Sequence, residues 1–112
     1  MSLKTFSRVP EPGFYYHQKH DPQESINNYA YEVTGIGFHT ENDRMFLVYR
    51  PLYESPAYKA SKEFGVPCFY IRPLEMWLET AKESGEIVLL FQKITDPITT
   101  AELARIRQEM YP

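Results

Sequence analysis

The sequence predicts a mainly β fold: a small antiparallel barrel of about five strands, with a short helical turn after Arg72 and a C-terminal helix. Three observations carry that expectation. The aromatic share is 15%, with nine Tyr and seven Phe, and such residues favour pleated, half-buried surfaces. Short runs of strand-like composition recur between clusters of turn residues, the pattern of a sandwich or barrel rather than of a helical bundle. The alternation also changes phase at Gly35, as it does where a β-bulge bends a strand toward closure. At 112 residues the chain has room for one hydrophobic core.

Each element can be justified in chain order. Residues 1–12, with Pro10 and Pro12 around Glu11, show neither helix nor strand periodicity and read as an extended lead-in. Phe14-Tyr15-Tyr16-His17 is the first strand, and the polar segment 18–28, with Asp21-Pro22 and Asn27-Asn28, is a long loop. The second strand, 29–39, buries Tyr29, Tyr31 and Val33, then Ile36 and Phe38 once the extra residue near Gly35 has swapped the faces. Thr40-Glu41-Asn42-Asp43 supplies the turn. The return strand, 44–53, is apolar on both parities, which suits a central position.

Residues 54–65 hold one helical turn over 57–64 or none. A fourth strand covers 66–72, and Pro73 opens a short turn that presents Leu74, Trp77 and Leu78 together. Ser84-Gly85 closes that segment, and 86–94 is the fifth strand. Asp96-Pro97 interrupts the chain before a helix over 100–111, with Thr99 and Glu102 at capping-box spacing. Leu103, Ile106 and Met110 fall on one stripe of it, and Glu102, Arg105 and Glu109 can pair on another. A helix this short needs a docking surface, and the strand 86–94 is the expected seat. The resulting organisation is a lead-in (1–12), a barrel domain (13–95) and a C-terminal helical extension (96–112).

Composition narrows the function classes. The net charge is −3 and the pI about 5.6, so no global field draws the chain to nucleic acid or anionic lipid. The single cysteine, Cys68, cannot form an internal disulfide and suits a reducing compartment. The longest apolar run, Ile87 to Phe91, is far short of a membrane span. No charged segment followed by an apolar one opens the sequence. A cytoplasmic location without membrane attachment is expected.

Several blocks carry a family resemblance. They are Gly13-Phe14-Tyr15-Tyr16-His17, Tyr31-Glu32-Val33 with Gly35-Ile36, His39-Thr40-Glu41, Val48-Tyr49-Arg50-Pro51-Leu52-Tyr53 and Tyr70-Ile71-Arg72-Pro73-Leu74-Glu75-Met76-Trp77. In this order and spacing the chain resembles a small bacterial family described as domain of unknown function 1653. The resemblance implies an SH3-like barrel and implies no activity. The loops 18–28 and 54–65 are longer than the family's usual ones, and Tyr16 stands where a basic residue is common.

Each candidate chemistry has a structural alternative. Cys68 with His17 or His39 could make an activated thiolate, but no third orienting residue is suggested, and a lone cysteine in a strand reads as a small buried hydrophobe. His17, His20, Asp21 and His39 follow no recognised metal spacing, so no metal and no cofactor are expected. Gly35-Ile36-Gly37 lacks the third glycine of a phosphate cradle. Glu32, Glu41 and Asp43 read as solvated turn and edge residues.

The combination of aromatics with arginine is stronger. Tyr15, His17, His39, Tyr49, Arg50, Tyr53, Arg72 and Trp77 are the candidate binding residues, since phenol and indole rings joined to a planar cation make good recognition surfaces. The structural alternative pairs each arginine with a carboxylate such as Glu32 or Glu75. The expected function is a non-catalytic module that receives a peptide or a small anionic ligand in an aromatic/Arg groove. Single-stranded nucleic-acid binding, supported by Lys59 and Lys62 and opposed by the acidic pI, is one alternative; an unrecognised small enzyme is the other. Homodimerisation through 87–91 or the C-terminal helix is a further expectation.

Overall fold

The computed structural model describes residues 10–77, 80–81, 87–88 and 90–112. The chain runs β1 (Gly13–His17), β2 (Ala30–Phe38), β3 (Met45–Pro51), α1 (Pro56–Phe64), β4 (Tyr70–Pro73), α2 (Leu74–Trp77), β5 (Thr80–Ala81), β6 (Ile87–Val88), β7 (Phe91–Lys93) and α3 (Pro97–Met110). Five strands form one antiparallel sheet in the order β4-β3-β2-β1-β7, and β5 pairs with β6 in a separate two-stranded ladder. The expected lead-in lies largely outside the described residues, as do Leu78 and Ser84-Gly85.

The middle of the sheet follows the sequence pattern. The ladder between β2 and β3 shifts register between Val33 and Gly35, so Thr34 is the extra residue of the expected bulge. The hairpin turns through Asp43, whose φ is 55°, a conformation that Asp tolerates. β3 does sit centrally, and its burial alternates residue by residue.

The expected SH3-like barrel is not found among the described residues: the five strands form an open sheet. Among the described residues no ladder joins the two edges, β4 and β7. Side chains bridge that interval instead. Trp77 stacks on Phe91 of β7 with centroids 3.6 Å apart, and the Arg72 guanidinium of β4 lies 5.5 Å from the same ring.

Four expected elements differ in form. The helix after residue 54 is a full nine-residue α1, begun by Ser55, whose side chain accepts the Tyr58 N–H, and ended by Gly65 at φ 69°. The fourth strand starts only at Tyr70, because the Cys68 N–H is tied to Ser61 Oγ at 3.0 Å and is not offered to β3. The single strand expected over 86–94 is two strands in different ladders: β7 pairs with β1 no further than His17↔Phe91, and β6 takes its partner from β5. Finally, Asp96-Pro97 starts α3 rather than interrupting the chain. Asp96 accepts the Thr99 N–H and hydroxyl, so Asp96 is the cap, while Glu102 turns to Arg105.

The helix α3 packs on the sheet and, among the described residues, meets its expected seat at Ile94. Leu103 is fully buried with Ala30, Leu52 and Ile94, and Phe14, Tyr16, Ile106 and Tyr111 pack around them. That cluster draws on β1, β2 and the segment after β3.

Candidate functional site

Antiparallel register decides which side chains meet, since directly opposite residues share a face and successive ones alternate. Tyr15 is opposite Tyr31, Val33 opposite Tyr49, Tyr49 opposite Tyr70, Leu47 opposite Arg72, and His17 opposite Phe91. These residues therefore line one face. Its floor is a buried aromatic layer of Tyr15, Tyr31, Tyr49, Trp77 and Phe91. Trp77, 2% exposed, meets Tyr49 edge-on at 5.0 Å and Tyr15 at 5.8 Å. Above the floor stand Tyr53, Tyr70, His17 and Arg72, all half-buried, and Tyr29, 41% exposed. Tyr29 reaches both His17 at 5.7 Å and Tyr53 at 6.4 Å.

Polar tips project from this aromatic layer. The Tyr31 and Tyr53 hydroxyls hydrogen-bond to one another. Burial pushes both phenols above their ordinary range, so they remain neutral donors. The imidazole of His17 accepts the Lys19 N–H on Nδ1 at 3.0 Å, and its pKa is lowered first by burial and then by the charges of Lys19 and Arg72. A neutral imidazole, phenol hydroxyls and a guanidinium thus share one rim. No ion pair among the described residues involves Arg72. Such a set can hold an anionic group and stack a planar or apolar body.

Arg50 belongs to the opposite face, being the next residue after Tyr49 on β3. Its Nε donates to Glu32 Oε1 at 2.9 Å, and Arg107 Nη1 of α3 donates to Glu32 Oε2 at 2.7 Å. Glu32 is therefore a buried ion-pair centre, not the solvated residue its sequence position suggests. The Arg50 guanidinium lies 4.1 Å from the Tyr111 ring centroid and 5.5 Å from that of Phe69. The Tyr111 hydroxyl donates to Pro51 O at 2.6 Å, and burial pushes its pKa up to about 12.

Of the eight residues expected to converge, Tyr15, His17, Tyr49, Tyr53, Arg72 and Trp77 share the aromatic face, whereas Arg50 and His39 do not. His39 is exposed at the β2–β3 turn, where its Nδ1 accepts the Glu41 N–H at 3.1 Å. Cys68 lies beside α1, so His17, His39 and Cys68 stand on three different elements with separate partners. His20 stacks on Tyr16 at 3.5 Å and donates from Nδ1 to Asn28 O at 2.7 Å. Among the described residues no three His, Cys, Asp or Glu side chains are placed to hold one metal ion, and no helix is long and apolar enough to cross a membrane. Sequence reasoning missed Tyr29, Tyr31, Tyr70 and Phe91 as parts of the face. The alternation in 29–33 signals Tyr29 and Tyr31, but Tyr70 and Phe91 depend on pairings between distant strands.

The sequence pattern of the family described as protein of unknown function (DUF1653) matches residues 13–93. A solved structure of a DUF1653 protein from Bordetella bronchiseptica is similar, with 23% identity, 85% of this chain and 99% of that chain covered, and a TM-score of 0.49. Among curated proteins none matches the chain.

Proposed function

We propose that this chain, which belongs to the DUF1653 family of proteins of unknown function, is a non-catalytic binding module with its ligand seat on the aromatic face. The ligand carries an anionic group on an aromatic or apolar body, either as a free small acid or as an acidic side chain within a peptide. One observation carries this reading. Arg72 lies over Phe91 and near enough to His17 to lower its pKa, on the face that Tyr31, Tyr53 and Tyr70 share, with no ion pair to a carboxylate among the described residues. A guanidinium so placed favours a carboxylate or phosphate brought from outside, and the rings supply stacking area. The chemistry of the set supports binding and not turnover: burial holds the Tyr31 and Tyr53 phenols neutral and the imidazole of His17 is not aligned on a nucleophile.

Titration of the isotopically labelled protein with benzoate, and separately with a capped Gly-Phe-Asp tripeptide, tests the proposal and distinguishes the two sources. Saturable shifts are expected at Tyr29, Tyr53 and the Arg72 side chain. Arg72→Ala is expected to weaken binding by about tenfold or more, the range of one charge-assisted hydrogen bond. If Arg72→Ala and Tyr53→Ala, both folded, bind these probes as the parent does, the seat is elsewhere. A saturable gel shift with single-stranded DNA or RNA at low salt, lost in the same variants, would move the reading to nucleic acid. Self-association is a separate question. The apolar stripe of α3 already meets the sheet through Leu103, so association at that stripe would have to displace the helix.

A further inference from the structure

The geometry points to a second, independent ligand site on the opposite side of the sheet, one that takes a small organic monoanion. Between the C-terminal ends of α1 and α3 lies a cavity of about 330 Å³, lined by Arg50, Lys62, Val66, Pro67, Met110 and Tyr111 among others. That volume is at the lower end of the roughly 300–1,000 Å³ typical of small-molecule clefts. Its arginine is fixed before any ligand arrives: Glu32 holds Nε, while the Tyr111 and Phe69 rings lie 4.1 and 5.5 Å from the guanidinium carbon. The two terminal nitrogens of Arg50 make no hydrogen bond among the described residues and, unlike Arg107 Nε, are not sealed from solvent. They are the donors a carboxylate would meet.

The side-chain charges at this site are unbalanced. Glu32 contributes one negative charge against the positive charges of Arg50 and Arg107, which leaves the triad at +1. Lys62 adds a second positive charge at the cavity wall and has no ion pair among the described residues. Val66, Pro67 and Met110 supply apolar wall for the body of the ligand. The carbonyl-rich ends of α1 and α3 reach the same space and are partially negative. They disfavour a dianion and favour a hydrogen-bond donor next to the carboxylate. The best-matched class is therefore a small hydroxy acid with an apolar body.

Titration with 2-hydroxyisovalerate, isovalerate and inorganic phosphate, followed at the amides of Gly65 and Val66 and at Arg50 Nε, tests the inference. Affinity is expected to fall in that order. Lys62→Gln, a change at the cavity wall outside the buried core, is expected to weaken the hydroxy acid about fivefold, and Arg50→Lys about tenfold. Phosphate binding tighter than both acids, affinities unchanged in folded Lys62→Gln, or no saturable shift with any probe would overturn it. Should Arg50→Lys fail to fold, the probe order and Lys62→Gln still decide. Arg72→Ala should leave these affinities unchanged, which separates failure here from failure at the aromatic face.

Discussion

Two neighbouring strands carry two arginines to different environments. Arg72 of β4 points to the aromatic face, where its neighbours are Phe91 and His17. Arg50 of β3 points to the face covered by α3, where Glu32 takes its Nε and Arg107 completes the cluster. Both stand in apolar strands, and composition alone does not distinguish them. The difference lies in the register: Glu32 is directly opposite Arg50, while Leu47 is directly opposite Arg72. An arginine facing a carboxylate commits its Nε to the scaffold and leaves only its terminal nitrogens free, whereas one facing leucine has no ion pair among the described residues.

The largest effect that bears on this contrast is expected at Trp77, which forms the aromatic floor and bridges the sheet edges. Trp77→Ala should destabilise the protein by about 3–5 kcal/mol, the range for a large buried aromatic, as read by chemical denaturation. A loss under about 1 kcal/mol would mean that the floor is not what joins the edges. Next is Glu32→Gln, which leaves two guanidiniums side by side without their anion. Its side chain is only 11% exposed, and breaking such a group should cost about 2–4 kcal/mol and loosen α3, visible as faster amide exchange at Leu103. Stability unchanged in that variant would remove the distinction between the faces.

Smaller effects sharpen the description of the rim. Tyr53→Phe removes the partner of the Tyr31 hydroxyl and should cost about 0.5–1.5 kcal/mol, with a change in the near-ultraviolet circular dichroism of the tyrosine cluster. His17 has a folded pKa below its ordinary value of 6.5, so the unfolded chain takes up its proton first on acidification. The stability linked to His17 is complete above pH 6.5 and is lost as pH falls through the lowered value. Between pH 8 and pH 5 the parent should therefore lose more stability than His17→Gln. Equal losses would place His17 outside the dry part of the rim.

Much of the sheet was legible because its signals are local. The alternation in β2, the bulge beside Gly35, the turn before Arg44 and the central position of β3 can each be read within about ten residues. The ends of helices were local too but were misread. Ser55-Pro56 and Asp96-Pro97 look like interruptions, yet each is a cap followed by a proline at the first helical position, where the missing N–H does no harm. The site was harder to read. Tyr49 and Arg50 are adjacent in sequence, so the strand pattern alone separates them; which of them meets Arg72 depends on how β4 registers against β3. Phe91 joins Trp77 only because the chain changes partner between β6 and β7. Such long-range pairings leave no trace in periodicity.

Paired denaturation of Arg72→Ala and Arg50→Ala tests most directly whether Arg50 helps hold the fold together through Glu32 while Arg72 contributes little to stability and is left for a ligand. Arg72→Ala should stay within about 0.5 kcal/mol of the parent, and Arg50→Ala should lose about 1–3 kcal/mol through the ion pair with Glu32 and its contact with Tyr111. Equal losses, or a larger loss at Arg72, would make Arg72 a structural residue and contradict a ligand seat on the aromatic face.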